Sequence, residues 1–207
     1  YGLDFEVNEN VLIPRPETEE LVEWIINENT SRDKNKKLRI LDIGTGTGCI
    51  AISLASNLPH AEVVAIDVSK KAIETAKRNA VRNNVEVTFV LLDILKEEEL
   101  RCQFDIIVSN PPYVRNLEKA EIKKNVLDYE PHLALFVEDH DALIFYRKIA
   151  LLAKKALLEK GKLYFEINQY LGKEMTDLLE GMDFKSVELR KDIYDNDRMI
   201  SGKVLKG

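Results

Sequence analysis

The sequence predicts an α/β fold: a mostly parallel seven-stranded sheet with helices on both faces and an antiparallel hairpin at the C-terminus. Apolar runs alternate with helical segments from Leu38 onward, which is typical of consecutive βαβ units in a parallel sheet. Near the end of the chain, two strand-like segments flank a polar turn and indicate a closing hairpin. The 207 residues, 45% of them hydrophobic, suffice for one domain with a buried core and a small appendage.

The predicted strands are apolar runs with few interruptions, as expected of strands that are covered on both faces. They are Leu38–Ile43, Glu62–Ile66, Glu86–Leu91, Phe104–Ser109 and Lys162–Ile167, followed by the hairpin strands Lys185–Arg190 and Met199–Leu205. The predicted helices are Cys49–Asn57, Lys70–Asn83, Ala142–Glu159 and Leu171–Leu179. These elements place the main domain at residues 38–207.

Residues 1–37 are predicted to form a leader segment that precedes this domain. Apolar residues recur at helical spacing in Glu17–Ile26, directly after two prolines, and predict a short helix there. The polar and charged run Asn27–Lys37 is typical of a linker.

The composition argues against several classes of protein. Thirty Lys and Arg against 36 Asp and Glu give a net charge of −6, which disfavours a protein that holds duplex DNA by neutralising phosphates. The apolar runs are far shorter than the ~20 residues that span a bilayer, so we expect no membrane partner. Cys49 and Cys102 lack CxxC spacing, and the three histidines lack the spacing of a zinc site or a catalytic triad. We therefore expect a cytoplasmic protein with no bound metal.

A glycine-rich turn follows the first predicted strand and leads directly into a helix. Gly44, Gly46 and Gly48 stand at alternate positions in Asp42–Ala51 (DIGTGTGCIA). Such a turn lets the backbone approach a ligand closely, while amide groups at the helix start point toward it. The pattern favours a nucleotide-type site over a merely tight turn.

The spacing of the glycines distinguishes between nucleotide sites. The dinucleotide fingerprint needs Gly or Ala at the sixth position, and counting from Gly44 that position is Cys49, which weakens an NAD interpretation. The P-loop pattern does not occur. The G-x-G-x-G turn resembles the S-adenosylmethionine (AdoMet) loop of class I methyltransferases.

Acidic residues follow the second and third predicted strands. Asp67 stands at the carboxyl edge of the second strand, where a carboxylate can accept hydrogen bonds from both ribose hydroxyls of a nucleotide. After the third strand, Asp93 could accept a hydrogen bond from an adenine amine while Ile94 packs on the ring. Alternatively, Asp93 caps a helix that begins before Leu95. The sequence leaves both interpretations open.

The fourth predicted strand stops at Asn110-Pro111-Pro112-Tyr113. Two prolines cannot donate hydrogen bonds to a sheet, so the chain must leave at the ligand-facing edge. The Asn110 side-chain oxygen and the Pro111 carbonyl can both accept from one planar NH2 group, and Tyr113 can lie against its π-face. Two acceptors could hold a poorly nucleophilic nitrogen in line with a sulfonium methyl group, with no side-chain nucleophile.

Three segments together identify a family. Phe104–Tyr113 resembles motif IV of amino-group methyltransferases, although NPPY alone is shared with DNA adenine and cytosine amino-methylases. With Leu12–Glu19 (LIPRPETE) upstream and Tyr129–Leu135 (YEPHLAL) downstream, the sequence closely resembles the PrmC/HemK family, the N5-glutamine methyltransferases of peptide chain release factors. The similarity covers essentially all 207 residues, through the turn Asp195–Arg198.

The resemblance implies a class I AdoMet-dependent methyltransferase (Rossmann-like) fold for residues 38–207, with AdoMet as cofactor and S-adenosyl-L-homocysteine as product. By resemblance, the AdoMet site comprises Gly44, Thr45, Gly46, Thr47 and Gly48 in the loop, Asp67 at the ribose, Ile94 at the adenine, and Asn110. The catalytic residues that hold the glutamine amide would be Asn110, Pro111, Pro112 and Tyr113. The family usually has an aromatic residue at Ile94, so we expect a weaker adenine contact here.

The resemblance also implies partners. Release factors are the expected protein substrate, with no direct contact to nucleic acid, and we expect a monomer. Family members carry an N-terminal helical domain that helps to dock the release factor. Since the chain begins at Tyr1, where that domain would end, we expect it to be the catalytic domain of a longer protein.

Other residues and functions have competing interpretations. Cys49 is expected to be a small buried packing residue rather than a reactive thiol. Glu17 and Glu130 could line the pocket mouth or anchor Arg15. A DNA amino-methylase would need a basic groove, room for a flipped base and usually a target-recognition domain, which the charge and length oppose. A non-catalytic AdoMet-binding module, in which the NPPY turn is only structural, is the third alternative.

Overall fold

A computed structural model describes residues 1–30, 32, 36–115, 136–137 and 141–205. The helices are α1 (Pro16–Asn29), α2 (Cys49–Asn57), α3 (Lys70–Arg82), α4 (Ile144–Ala156) and α5 (Gly172–Gly181). The strands are β1 (Leu38–Ile43), β2 (Ala61–Asp67), β3 (Thr88–Leu91), β4 (Phe104–Ser109), β5 (Val114–Arg115), β6 (Phe136–Val137), β7 (Leu157–Glu166), β8 (Lys185–Lys191) and β9 (Asp197–Lys203).

Seven strands form one sheet in the order β3-β2-β1-β4-β7-β9-β8, and β5 pairs with β6 separately. The strands from β3 to β7 run parallel, whereas β9 is antiparallel to both β7 and β8. The mostly parallel sheet with an antiparallel C-terminal hairpin is therefore confirmed. The order reverses between β1 and β4, where α/β sheets open a crevice for ligands. At this edge, Ile43 pairs with Ile66 on one side and with Ser109 on the other.

Successive residues of the central strands enter two different hydrophobic clusters, because side chains alternate between the faces of a sheet. Ile40 and Ile106 belong to the cluster that includes residues of α1 and α2. Leu41 and Ile107 belong to the cluster that includes residues of α4 and α5. Helices therefore cover both faces, as predicted, and no helix within the described residues is long and apolar enough to cross a bilayer.

Several predicted boundaries are wrong. The helix predicted to continue to Glu159 ends at Ala156, because Leu157 is extended (φ −71°, ψ 139°) and pairs with Phe104 at the start of β7. The third strand begins at Thr88 rather than Glu86. Other boundaries shift by one to three residues, and β7 starts five residues early.

The predicted linker begins too early, since α1 continues to Asn29. The buried Asn29 side chain donates a hydrogen bond to the Ile25 carbonyl (2.7 Å), so the last turn of the helix packs against the core. Glu28, one residue earlier, accepts hydrogen bonds from Trp24, Tyr164 and Lys162. These contacts tie α1 to β7.

The chain before α1 lies along α3. The Glu6 backbone N–H donates to Asn79 Oδ1 (2.7 Å), and the Glu6 carboxylate pairs with Arg78 (2.7 Å). Asn8 donates to the Thr75 hydroxyl (3.0 Å). Residues 10–15 then reach the edge of the sheet where β1 and β4 end and contribute to a cavity there.

Candidate active site

A cavity of about 290 Å³ lies at the carboxyl ends of the parallel strands. It brings together most of the residues that the sequence singled out: Gly44, Thr45, Gly46, Thr47, Asp67, Asp93, Ile94, Asn110, Pro111 and Pro112. Gly48 and Tyr113 are close by but do not line the cavity. The glycine turn and the Asn-Pro-Pro turn therefore share one space.

All three glycines of the loop adopt a left-handed backbone conformation, but for different structural reasons. Gly44 (φ 75°) and Gly46 (φ 54°) face space in which an added Cβ would meet no atom within 4 Å. At Gly48 (φ 83°), an added Cβ would lie 2.9 Å from Ile52 and 3.1 Å from Ala76. Gly44 and Gly46 therefore leave room for a ligand, whereas Gly48 allows α2 and α3 to pack closely.

Hydrogen bonds from β2 fix the loop. The N–H groups of Gly44 and Thr45 both donate to the Ile66 carbonyl (2.9 and 3.0 Å). The Gly46 N–H donates to Asp67 Oδ2 (2.9 Å), and the buried Thr45 hydroxyl donates to Asp42 Oδ2 (2.6 Å). The loop is thus preorganised by the protein itself.

Asp67 both lines the cavity and holds the glycine loop. Its oxygens accept hydrogen bonds from the N–H groups of Gly46 and Ser69 (2.9 and 2.8 Å). These hydrogen bonds lower its pKa, but burial outweighs them and raises the pKa above its ordinary value. A carboxylate offers about four lone-pair sites, so it can still accept from a ligand hydroxyl. The sequence did not indicate that Asp67 also holds the glycine loop.

Asp93 and Ile94 lie on the cavity wall beyond β3. Asp93 Oδ1 accepts the Leu95 N–H (3.1 Å), and Oδ2 lies 3.1 Å from Lys96 Nζ. The segment is a turn, so Asp93 binds the Leu95 N–H without the helix that the capping alternative required. Ile94 is buried and offers an apolar surface. The contact of Asp93 with adenine stays a prediction.

The NPPY turn follows β4 at the opposite wall. The buried Ser109 hydroxyl donates to the Ile43 carbonyl (2.7 Å), which fixes the end of the strand beside the glycine loop. Asn110 Nδ2 donates a hydrogen bond to the Thr18 hydroxyl at 3.5 Å. The NH2 end of the amide therefore faces Thr18, and Oδ1 faces the opposite way. Pro111 and Pro112 line the cavity.

Tyr113 faces the interior rather than the cavity. Its half-buried ring packs against the hydrophobic cluster beneath α4, and its hydroxyl donates to Glu166 Oε1 (3.3 Å). Burial, followed by the nearby negative charge of Glu166, raises the pKa of Tyr113 well above its ordinary value. The described contacts of Tyr113 thus anchor the turn, and its stacking on a substrate amide stays a prediction.

Two functional candidates near the turn were not predicted from the sequence. Thr18, in the first turn of α1, is 5% exposed and donates to Glu166 Oε2 (2.7 Å). Glu166, the last residue of β7, is 1% exposed. The signal in the sequence is the acidic residue Glu166 directly after the apolar run 163–165. Among the residues weighed beside them, Glu17 does not line the cavity, while Arg15 does.

Cys49 packs against a hydrophobic cluster, as expected, but it is less buried than predicted. It is half-buried and lines the cavity at the start of α2. Desolvation raises the pKa of its thiol to about 12, so the thiol is protonated at neutral pH and is a poor nucleophile. Among the described residues, no group of three His, Cys, Asp or Glu is placed to hold a metal ion. Glu130, His132 and His140 lie outside the described residues.

Comparison with known proteins places this site in a family. The Methyltransferase small domain family matches residues 25–132. A release factor glutamine methyltransferase of Flavobacterium psychrophilum is 68% identical over 200 residues, which cover 97% of this chain and 70% of the relative. One from Bacteroides thetaiotaomicron is 49% identical over 201 residues, with the same coverage of both chains. The chain belongs to the release factor glutamine methyltransferase family.

Solved structures agree with this family assignment. A release factor-specific protein-(glutamine-N5) methyltransferase from Alicyclobacillus acidocaldarius is 27% identical, with a TM-score of 0.56 over 94% of this chain and 95% of that one. A methyltransferase from Pyrococcus furiosus, 20% identical, shares the fold with a TM-score of 0.69 over 100% of this chain and 91% of that one. The class I methyltransferase fold expected from the resemblance is thus confirmed.

Proposed function

We propose that the protein transfers a methyl group from AdoMet to the N5 nitrogen of the glutamine in the Gly-Gly-Gln motif of peptide chain release factors. The by-product is S-adenosyl-L-homocysteine. The observation that carries the proposal is the shared cavity, in which the glycine loop and the NPPY turn of a glutamine methyltransferase family member face one space. One wall suits a nucleoside cofactor and the other suits a planar amide.

The glycine-loop wall fits AdoMet. Added Cβ atoms at Gly44 and Gly46 would point into open space, so the backbone can be approached closely. Asp67 offers a carboxylate for ribose hydroxyls, and the buried Ile94 offers an apolar contact for adenine. The volume of about 290 Å³ is close to the lower end of the range for small-molecule sites.

Asn110 and Pro111 are proposed to hold the substrate. Their oxygens can accept both hydrogens of a glutamine NH2 group, which fixes the nitrogen in the plane needed for attack. AdoMet, when bound, supplies the electrophilic methyl carbon. The acceptor oxygens stabilise the positive charge that develops on the amide nitrogen as it gains the methyl group and before it loses a proton. No cysteine or hydroxyl nucleophile is required.

A release factor is the proposed protein partner. Because release factors act in translation, we propose that the reaction takes place in the cytoplasm. The net charge of −6 opposes the alternative of a DNA substrate, because binding to duplex DNA depends on neutralising phosphates. The NPPY turn alone does not separate these two substrates.

The proposal is tested by incubating the protein with methyl-labelled AdoMet and three substrates in parallel. These are an intact release factor, the same factor with its Gly-Gly-Gln glutamine replaced by alanine, and duplex DNA. We expect label in the intact factor alone. Label in DNA, or equal label in the two factors, would overturn the glutamine assignment. AdoMet binding without labelling of any substrate would favour a non-catalytic module.

A further inference from the structure

Glu166 lies directly behind the NPPY turn, and the proposed chemistry does not use it. Because Ser109 of β4 pairs with Phe165 of β7, the next residues of the two strands, Asn110 and Glu166, come side by side. Glu166 is almost completely buried. A carboxylate at such a place needs polar partners to compensate for lost hydration.

The partners of Glu166 come from the two sides of the turn. The Thr18 hydroxyl donates to Oε2 at 2.7 Å, and the Tyr113 hydroxyl donates to Oε1 at 3.3 Å. Thr18 in turn accepts from Asn110 Nδ2 at 3.5 Å. Glu166 therefore contacts the last residue of the turn directly and the first residue through Thr18.

The direction of each hydrogen bond follows from the chemistry of the groups. An ionised carboxylate only accepts, so Thr18 must give its single hydroxyl hydrogen to Glu166. The Thr18 oxygen then has only lone pairs to offer to Asn110. The Asn110 amide must therefore turn its NH2 toward Thr18, which leaves Oδ1 at the opposite end to accept from a ligand.

The surroundings of Glu166 bear on its charge. Burial raises the pKa of the Glu166 carboxyl, and the nearby Glu17 charge acts in the same sense. The hydrogen bonds from Thr18 and Tyr113 and the positive charge of Arg198 lower it. The net effect is a pKa above the ordinary value. Two hydroxyl donors, one on each oxygen, suit the ionised form, which accepts hydrogen bonds but cannot donate one.

We propose that Glu166 and Thr18 are positioning residues that hold the Asn110 amide with its oxygen toward the substrate glutamine. This inference rests on the proposed function. Thr18 lines the cavity wall beside Asn110, whereas Glu166 does not line the cavity, and both act on the substrate through Asn110. Without them, the amide could rotate and present its NH2 group, which cannot accept a hydrogen bond from the substrate.

Thr18→Val tests this inference, because it removes the hydroxyl and nearly preserves the shape of the side chain. We expect kcat for release factor methylation to fall about 10–100-fold, as for other losses of substrate positioning. AdoMet affinity and the KM for the release factor should stay within about twofold, because the contact acts on the reacting amide rather than on binding. Thr18→Ser keeps the hydroxyl and should restore most of the rate.

Thr176→Val is the matched control. It removes a hydroxyl that donates to the Gly172 carbonyl within α5, away from the cavity, and should methylate at the wild-type rate. Glu166→Met provides a second route, since it nearly keeps the length of the side chain but removes both acceptor oxygens, so the Thr18 hydroxyl loses the acceptor that fixes its direction. Its kcat should fall at least as far as that of Thr18→Val, and the double variant should lose little more.

The outcomes separate the two proposals. If the wild type leaves the release factor glutamine unmethylated, the proposed function fails, and this inference fails with it. If the wild type methylates it and a folded Thr18→Val does so at the same kcat, the inference alone is overturned. Equal loss in Thr18→Ser and Thr18→Val also overturns it. Should Thr18→Val fail to fold, a wild-type kcat in a folded Glu166→Met is decisive against it.

Discussion

Asp42 is a fully buried carboxyl behind the glycine loop. Its Oδ2 accepts the Thr45 hydroxyl, while its Oδ1 has no hydrogen-bond partner among the described residues. Burial raises its pKa to about 7, against an ordinary value of 3.8, and the negative charge of Asp67 adds to the rise. The loop that is proposed to bind AdoMet is therefore supported by a group that titrates near neutral pH.

We predict that stability falls as the pH rises from about 4 to about 7 and then levels off, because over this range the unfolded state has released the Asp42 proton while the folded state still holds it. A pKa raised on folding stabilises the fold below the unfolded value near 3.8, and this stabilisation is lost above the folded value. The free energy of unfolding should drop by about 4 kcal/mol between acidic and mildly alkaline pH. Urea unfolding of the wild type and Asp42→Asn across this range measures the effect. Equal pH slopes in the two proteins would contradict the assignment to Asp42.

Asp67→Ala should weaken AdoMet binding at least about tenfold, since it removes the proposed acceptor for the ribose hydroxyls. The variant also loses the hydrogen bond that holds the Gly46 N–H, so part of the effect comes from a looser loop. Isothermal titration calorimetry measures the affinity, with Asp177→Ala on the exposed face of α5 as the control. Wild-type affinity in Asp67→Ala would remove this residue from the site.

Single residues differed in how well the sequence revealed them. Asp67 and Asn110 could be predicted because each directly follows an apolar strand, and parallel strands end at the same edge. The pair formed by Thr18 and Glu166 could not, because 148 residues separate them and only the folded sheet brings them together. The packing role of Gly48 likewise depends on the position of α3.

The attachment of α1 to the sheet depends on a cluster around Glu28. Its carboxylate accepts from Trp24 Nε1 (2.6 Å), Tyr164 Oη (2.7 Å) and Lys162 Nζ (2.8 Å). Burial acts to raise the pKa of Glu28, but these hydrogen bonds outweigh it and lower the pKa overall. Lys162 is only 7% exposed, so it depends on this carboxylate for compensation of its charge.

We therefore predict that Glu28→Ala destabilises the protein by about 1–3 kcal/mol, because it leaves the Lys162 ammonium buried without its partner. The value lies below that of a fully buried pair because the Glu28 side chain is 32% exposed. Glu23→Ala, the same substitution at an exposed position of α1, should change stability by less than about 0.5 kcal/mol. Chemical denaturation measures both, and equal effects would contradict the role of this cluster.

Element boundaries were hardest to predict where tertiary pairing decides them. The helical pattern through Glu159 contains no local signal to stop at Ala156, but pairing of Leu157 with Phe104 draws the chain into β7. Similarly, the polar composition of Asn27–Lys37 concealed the last turn of α1, in which Glu28 accepts from Tyr164 of β7 and Asn29 is buried. Local propensity cannot anticipate either contact.

The overall topology explains how distant segments form one site. The reversal of strand order between β1 and β4 places the glycine loop and Asn110 side by side, with Asp67 on the neighbouring strand. Residues 10–15 and the start of α1 then close the same cavity from the leader segment. The alternation of strands and helices predicted this crevice, whereas the path of the leader was visible only in the structure.

We propose that the main role of Asn110 is in methyl transfer, beyond its place in the predicted AdoMet site. Asn110→Asp keeps an acceptor at nearly the same position and should retain partial activity. The most direct measurement is kcat for methylation of a release factor by Asn110→Ala at saturating AdoMet. We predict a loss in kcat on the order of 10²–10³-fold, far larger than any change in AdoMet affinity, with the fold retained. A stable Asn110→Ala protein that methylates the release factor at the wild-type rate would contradict the account.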